Sequence, residues 1–235
     1  MKRICLLADH TGGANALANP LLRLMADGIE VEVVSGVYAD PVFAAAKIPF
    51  KKIEDFGLSD ISAASMEKLL NQVKPDLVIA AVGGQGGEAN DVMGQTSVLA
   101  ARNFGITSMS VLDIPAGYSS RWSDERTGNH LDCLPDVVAT LDERAKQEMV
   151  AEGFPANQLE ITGNPYFDDF FARGQRFSQE QRGKYGKKSV CLAKHFFWRR
   201  WMLFPHSRKN TALRMPMCSN CSSKPCLVCL MWALW

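Results

Sequence analysis

Short apolar runs alternate with helix-length amphipathic segments through about the first 170 residues, each pair separated by glycine or proline, and that alternation leaves few folds open. Residues 4–8 predict a buried strand, 14–26 a helix and 30–35 a second strand, with Gly28 as the stop between them. The pattern continues with helices at 41–46 and 61–73, after which Pro75 and Asp76 open a strand at 77–82 that is apolar enough to be buried on both faces. A helix at 91–104 stopped by Gly105, strands at 107–112, 137–141 and 159–162, and a helix between Asp142 as N-cap and Gly153 as stop complete the series. Six or seven strands joined by right-handed crossovers predict an α/β fold, a Rossmann-like doubly wound parallel sheet.

Composition divides the chain. As a whole its 235 residues are 47% hydrophobic and 22% charged with a formal net charge of +1, which excludes collagen-like, bulk-disordered and polyelectrolyte classes. No run of about 18 apolar residues is present to span a membrane. Met1, Lys2 and Arg3 lead into a strand rather than a signal-peptide core, so the expectation is a cytoplasmic protein with no transmembrane segment. Yet five of seven Cys and four of five Trp lie in residues 191–235, and no Asp or Glu follows Glu180. Without the tail's seven Lys and Arg, residues 1–190 carry a net charge of about −6, which removes support for nucleic-acid binding. Residues 1–170 are therefore expected to form one domain, 171–190 a linker or connecting helix, and 191–235 an aberrant tail.

Ligands of open α/β sheets bind outside the carboxyl ends of the strands. Three loops there carry chemistry. The first runs Asp9, His10, Thr11, Gly12, Gly13, Ala14, Asn15; its glycines permit close backbone approach, and the helix that follows offers N–H groups to an anion or sugar oxygen. It lacks both the GxGxxG dinucleotide pattern and the Lys-Ser/Thr of an ATP-hydrolysing loop, so no cofactor is expected. A tight turn capped by Asp9 or Thr11 is an equally open use. The second loop, Gly83, Gly84, Gln85, Gly86, Gly87, Glu88, can wrap a ligand or be a plain surface loop in which Glu88 and Asp91 complement a helix dipole. The third gathers Asp113, Tyr118, Arg121 and Trp122, a set suited to holding a sugar or phosphate-bearing ligand by stacking and charged hydrogen bonds; Asp113 capping its own loop is the structural alternative. His10 and His130 are isolated histidines, for which a structural role is the commoner one.

The segment from Leu7 to Gly13 with its long helix resembles the glycine-rich first loop of two-domain GT-B glycosyltransferases. Lys74 to Ile79, Leu134 to Val138 and above all Leu159 to Pro165, which ends in Thr162, Gly163, Asn164 and Pro165, resemble in that order the amino-terminal half of the UDP-N-acetylglucosamine 2-epimerase and glycosyltransferase superfamily. The resemblance covers residues 3–170 and implies the first domain of a GT-B fold whose second domain is missing. It implies an intact protein of surface-carbohydrate synthesis that takes a nucleotide-sugar and a carbohydrate or lipid-linked acceptor, as a transferase or an epimerase, with a homodimer among the arrangements open to it. By position Gly12 and Gly13 line the interdomain cleft, Gly83 to Gly87 form a facing loop, and Asn164 stands near the hinge; Asn15 of the first loop is a further candidate substrate contact. Ala14 occupies the place where some of these transferases carry a catalytic His. Asp113, Asp9, His10 and Glu88 are then the candidate bases, Asp113 first, for deprotonating an acceptor hydroxyl or moving a proton at a sugar carbon. A non-catalytic nucleotide- or sugar-binding module is the alternative outside enzymes.

The tail carries Cys218, Cys221, Cys226 and Cys229 as two CxxC pairs, a spacing that ordinarily signals a thiolate metal site. Only four residues separate the pairs, and the surroundings lack helix or strand punctuation, so no metal is expected. Absent carboxylates, abrupt onset and abundant Cys, Trp and Met point instead to a reading-frame change near Val190. Codons permitted for residues 205–226 can be read in another frame as a capped, acidic, helix-periodic segment. On this reading the parent protein continues into a second α/β domain, and the chain as it stands, with half a cleft, is inactive.

Overall fold

The computed structural model describes residues 3–83, 92–123 and 128–175. Its strands are β1 (Arg3–Ala8), β2 (Glu30–Ser35), β3 (Leu77–Ala81), β4 (Thr107–Val111), β5 (Val137–Thr140) and β6 (Leu159–Ile161). The helices are α1 (Thr11–Ala26), α2 (Asp40–Ala45), α3 (Ala63–Val73), α4 (Val92–Phe104), α5 (Tyr118–Trp122), α6 (Glu143–Ala151) and α7 (Pro165–Gln175). All six strands are parallel in the order β2-β1-β3-β4-β5-β6, the doubly wound arrangement that the alternation predicts. Beyond β2, Lys51 adds a single parallel bridge to Val34, held by Ser35 N–H donating to Lys51 O (2.9 Å) and Lys51 N–H to Val33 O (2.9 Å).

Alternate residues of the strands enter opposite layers, as the pleat requires. Ile4, Leu6 and Ala8 of β1 with Ile79 and Ala81 of β3 pack against Leu17 and Leu21 of α1 and Phe43 of α2. Cys5, Leu7 and Val78 face the other way, onto Met66, Leu69 and Leu70 of α3 and Met93 and Ala100 of α4. Farther along that second face, Ala80, Val82, Leu112 and Val138 pack on α4, α5 and α6 through Val98, Tyr118, Trp122 and Met149. Burial on both faces explains the uninterrupted apolar strands; transfer of such side chains from water contributes about 1.5–3 kcal/mol each.

Local signals agree with these boundaries. Gly28 ends α1 with φ +78°, a conformation closed to most side chains. Ser62 caps α3 by accepting from Ser65 N–H (3.3 Å), and Asp142 caps α6 by accepting from Ala145 N–H (2.7 Å). In the loop before α3, hydrogen bonds from Ser62 and then Ser65 hold the Asp60 carboxyl down to about 2. A carboxylate depressed in the folded state stabilises it above the unfolded value of about 3.9 and loses that contribution as pH falls toward 2. Carbon-13 NMR of the Asp60 carboxyl should show its midpoint near 2, rising toward the ordinary range in Ser65→Ala; an unchanged midpoint would contradict this assignment.

Two expectations shift. α1 begins at Thr11, three residues earlier than the sequence suggests, because Gly12 and Gly13 are buried helical residues rather than a loop. A Cβ on Gly13 would lie 2.5 Å from the Ala81 Cβ, and one on Gly12 would overlap the Asp113 carboxylate, so the glycines are there to let α1 approach β3 and the loop after β4. Residues 118–122, read as loop, form the short helix α5. Residues 176–235, with the CxxC pairs, lie outside the described residues, and no helix among the described ones is long and apolar enough to cross a membrane.

Candidate functional site

The chain leaves β1 toward β2 on one side and, after β2, crosses to β3 on the other, so the carboxyl ends of β1 and β3 flank the topological switch point where open α/β sheets form a crevice. His10 stands there as the N-cap residue of α1 with extended backbone and no side-chain cap bond. Its ring lies against Gly83, where a Cβ would overlap His10 Cδ2. His10 Nε2 is buried and has no hydrogen-bond partner among the described residues, while the ring stacks parallel to Tyr38 with centroids 5.9 Å apart and planes 2° apart. Asp9 turns the other way, and its carboxylate occupies the space a side chain at Gly36 would need. Asn15 lies half-buried one turn into α1.

The loop after β4 reaches the same edge. Arg121 is 1% exposed and Asp113 8%. Arg121 Nη1 donates to Asp113 Oδ1 (2.8 Å) and to Val82 O (3.2 Å), and Nε donates to Ala116 O (3.1 Å), so one guanidinium ties the ends of β3 and β4 together. Gln95 of α4 supports this arginine from behind, its Nε2 donating to Arg121 O (3.0 Å) and Ser123 O (3.2 Å). Asp113 is thereby divided: Oδ1 is held by Arg121, and Oδ2 lies over Gly12 in the first turn of α1. Asn164, after β6, donates from Nδ2 to Asp113 O (3.0 Å) and accepts at Oδ1 from Tyr166 N–H (3.0 Å), joining the start of α7 to the Asp113 loop.

The structure thus brings together Asp9, His10, Gly12, Gly13, Gly83, Asp113, Arg121 and Asn164. Arg121 is a buried scaffold for Asp113 rather than an exposed anion clamp. Tyr118 and Trp122 stand apart from the edge. Trp122 is wholly buried, edge-on to Phe154 at 5.4 Å, and presents no open ring face for a ligand. Tyr118 donates its hydroxyl to Glu148 Oε2 (2.7 Å); burial first and this bond second push the phenol up, while the bonds from Tyr118 and then Arg144 hold Glu148 down. His130 also has a local role, its Nε2 lying 2.8 Å from Glu152 O. Gly84, Gln85, Gly86, Gly87 and Glu88 lie outside the described residues. Among the described residues no cluster of three or more His, Cys, Asp or Glu side chains could hold a metal ion. Sequence reading missed Gln95, whose signal is a polar residue on the apolar stripe of α4, and Tyr38, an aromatic three residues past the end of β2.

No protein-family model and no curated protein matches the chain. Solved structures do. The UDP-GlcNAc 2-epimerase of Methanocaldococcus jannaschii, in complex with UDP-GlcNAc and UDP, aligns with TM-score 0.55 at 17% identity over 76% of this chain and 52% of its own. The Neisseria meningitidis UDP-GlcNAc 2-epimerase bound to UDP-GlcNAc gives 0.54 at 17% identity over 87% and 64%, and the S. aureus MnaA–UDP structure 0.51 at 21% identity over 70% and 44%. The chain accordingly has the Rossmann-like α/β fold found in these GT-B-type structures and spans about half the length of the chains it resembles.

Proposed function

We propose that this chain is the first domain of a nucleotide-sugar-dependent enzyme of surface-carbohydrate synthesis, a GT-B glycosyltransferase or an epimerase of nucleotide sugars. The observation that carries the reading is the divided carboxylate of Asp113 at the crevice edge: Arg121 fixes one oxygen and the other lies over the start of α1. A carboxylate held this way is oriented without movement and keeps one oxygen for a proton, as a general base for an acceptor hydroxyl or a sugar C–H requires. Asp9 and His10 are the nearby alternatives from β1. The epimerase form draws support from the M. jannaschii and N. meningitidis structures, which contain UDP-GlcNAc. The acceptor of the transferase form is a carbohydrate or a lipid-linked one, and the location is cytoplasmic.

The reading includes a second α/β domain in the parent protein, with residues 171–190 as its connection and residues 191–235 as the product of a frame change. It predicts that this chain alone binds nucleotide-sugar weakly and turns none over. The test restores the frame after Val190 and follows UDP-GlcNAc by proton NMR with and without acceptor glycans. Turnover that falls by about 10²-fold or more in Asp113→Asn supports the reading. Epimer formation without acceptor identifies the epimerase, and UDP release only with acceptor identifies the transferase. Turnover unchanged in Asp113→Asn would remove Asp113 from the mechanism. Tight binding by the uncorrected chain, with no turnover after restoration, would favour a binding module.

A further inference from the structure

The five-residue helix α5 cannot stand by itself, because so short a segment closes too few intrahelical bonds to offset the cost of nucleating a turn. Its N-cap is Gly117 at φ +61°, which supplies no side-chain bond, so the end groups of α5 have to be met from elsewhere in the fold. Three other segments meet them. At the start, Ser119 N–H donates to Glu152 Oε2 (2.9 Å) and the Tyr118 hydroxyl donates to Glu148 Oε2 (2.7 Å), two carboxylates one turn apart at the end of α6. At the other end, Gln95 Nε2 of α4 donates to Arg121 O (3.0 Å) and Ser123 O (3.2 Å), and Cys133 N–H donates to Trp122 O (2.9 Å). The load that α5 carries is Arg121, 1% exposed, whose guanidinium donates to Asp113 Oδ1. In a close-packed interior a side chain so enclosed follows the backbone that bears it. The hold of α6 and α4 on α5 is therefore passed on to the Asp113 carboxylate.

We propose that α5 is a strut that sets the Asp113 carboxylate, and that Glu148, Glu152 and Gln95 are its positioning residues, acting on Asp113 through Tyr118, Ser119 and Arg121. Tyr118 then has a use in the site without standing at its edge: its hydroxyl anchors the helix whose fourth residue holds Asp113. The assignment rests on the nucleotide-sugar reading for the role of Asp113 in a reaction. The mechanical link from α6 to Arg121 makes its own demand, that loosening the Tyr118 to Glu148 bond loosens Arg121.

The experiment is hydrogen exchange of the Arg121 Nε–H, which donates to Ala116 O, followed by NMR on the full chain labelled with nitrogen-15. Tyr118→Phe and Glu148→Ala each delete the same anchoring bond and should speed this exchange roughly fivefold. Glu148→Gln keeps an acceptor for the phenol and should restore slow exchange. Arg144→Ala removes only the exposed partner of Glu148 on α6 and should leave the rate at its wild-type value. Ser62→Ala deletes the cap bond of α3, remote from α5, and should also leave it unchanged, which separates local opening of α5 from unfolding of the whole domain. In the frame-restored protein, Glu148→Ala should lower kcat roughly fivefold at unchanged KM, with Glu148→Gln close to wild type. Exchange unmoved in both Tyr118→Phe and Glu148→Ala, or accelerated equally by Ser62→Ala, would overturn the strut. An absence of turnover in the frame-restored wild type, with the exchange pattern intact, would overturn the nucleotide-sugar reading and leave the link to Arg121 standing. Circular dichroism checks the folding of each variant, and should Tyr118→Phe fail to fold, Glu148→Ala on the surface of α6 carries the same test.

Discussion

Replacing Arg121 with Met should destabilise the domain by about 3–5 kcal/mol, the range for breaking a buried ion pair by removing one partner. Both side chains are sequestered, at 2% exposure for Arg121 and 11% for Asp113. The substitution keeps much of the volume but strands the Asp113 carboxylate and removes the donor from Val82 O and Ala116 O. Arg121→Lys should recover little, because an ammonium cannot reproduce the fork that reaches two loops from one planar group. Arg121→Met combined with Asp113→Leu should recover much of the loss, since no charge is then left unpaired. Urea denaturation of the set checks this. A single Arg121→Met variant within about 1 kcal/mol of wild type would show that the pair is a solvated surface bridge, contrary to the geometry.

The second large effect is at Trp122. Truncation to Ala should lower stability by about 3–5 kcal/mol, as emptying a buried aromatic site does. The ring packs edge-on to Phe154 beneath α6, within the layer formed by Leu112, Val138 and Met149. Trp122→Phe should lose much less, since it keeps an aromatic against Phe154 and deletes an indole N–H that is buried without a hydrogen-bond partner among the described residues. The same denaturation experiment reads both variants. A Trp122→Ala protein of near wild-type stability would place the indole at the ligand crevice, the use its sequence neighbourhood suggests.

Why the fold is so legible in this chain follows from the sheet. Parallel strands buried on both faces must be apolar at consecutive positions, so residues 4–8 and 77–82 read as strands without help from alternation. Gly28, Gly105 and Gly153 mark stops because each stands at positive φ. The site is harder to read for a physical reason. Gly12 and Gly13 look like a loop in sequence, but what they accommodate, Asp113 and Ala81, lies far along the chain, and only the sheet order brings them together. Tyr118, Arg121 and Trp122 offer a phenol, a guanidinium and an indole, and local sequence cannot distinguish such groups facing a ligand from the same groups bonded to Glu148, to Asp113 and to the core. Short segments gave the weakest signal of all: α5 spans a single turn and a half, too short for a helical period to emerge.

Amide chemical-shift mapping tests the central claim, that the crevice between the ends of β1 and β3 is a nucleotide-sugar site. The full chain, labelled with nitrogen-15, is titrated with millimolar UDP-GlcNAc, a concentration suited to a site with half of its cleft. The account predicts that the largest shifts fall on Gly12, Gly13, Gly36 and Gly83 at the carboxyl edge, with Gly57, Lys74 and Gly105 unmoved. Shifts centred on the opposite edge, or none anywhere at millimolar ligand, would contradict it.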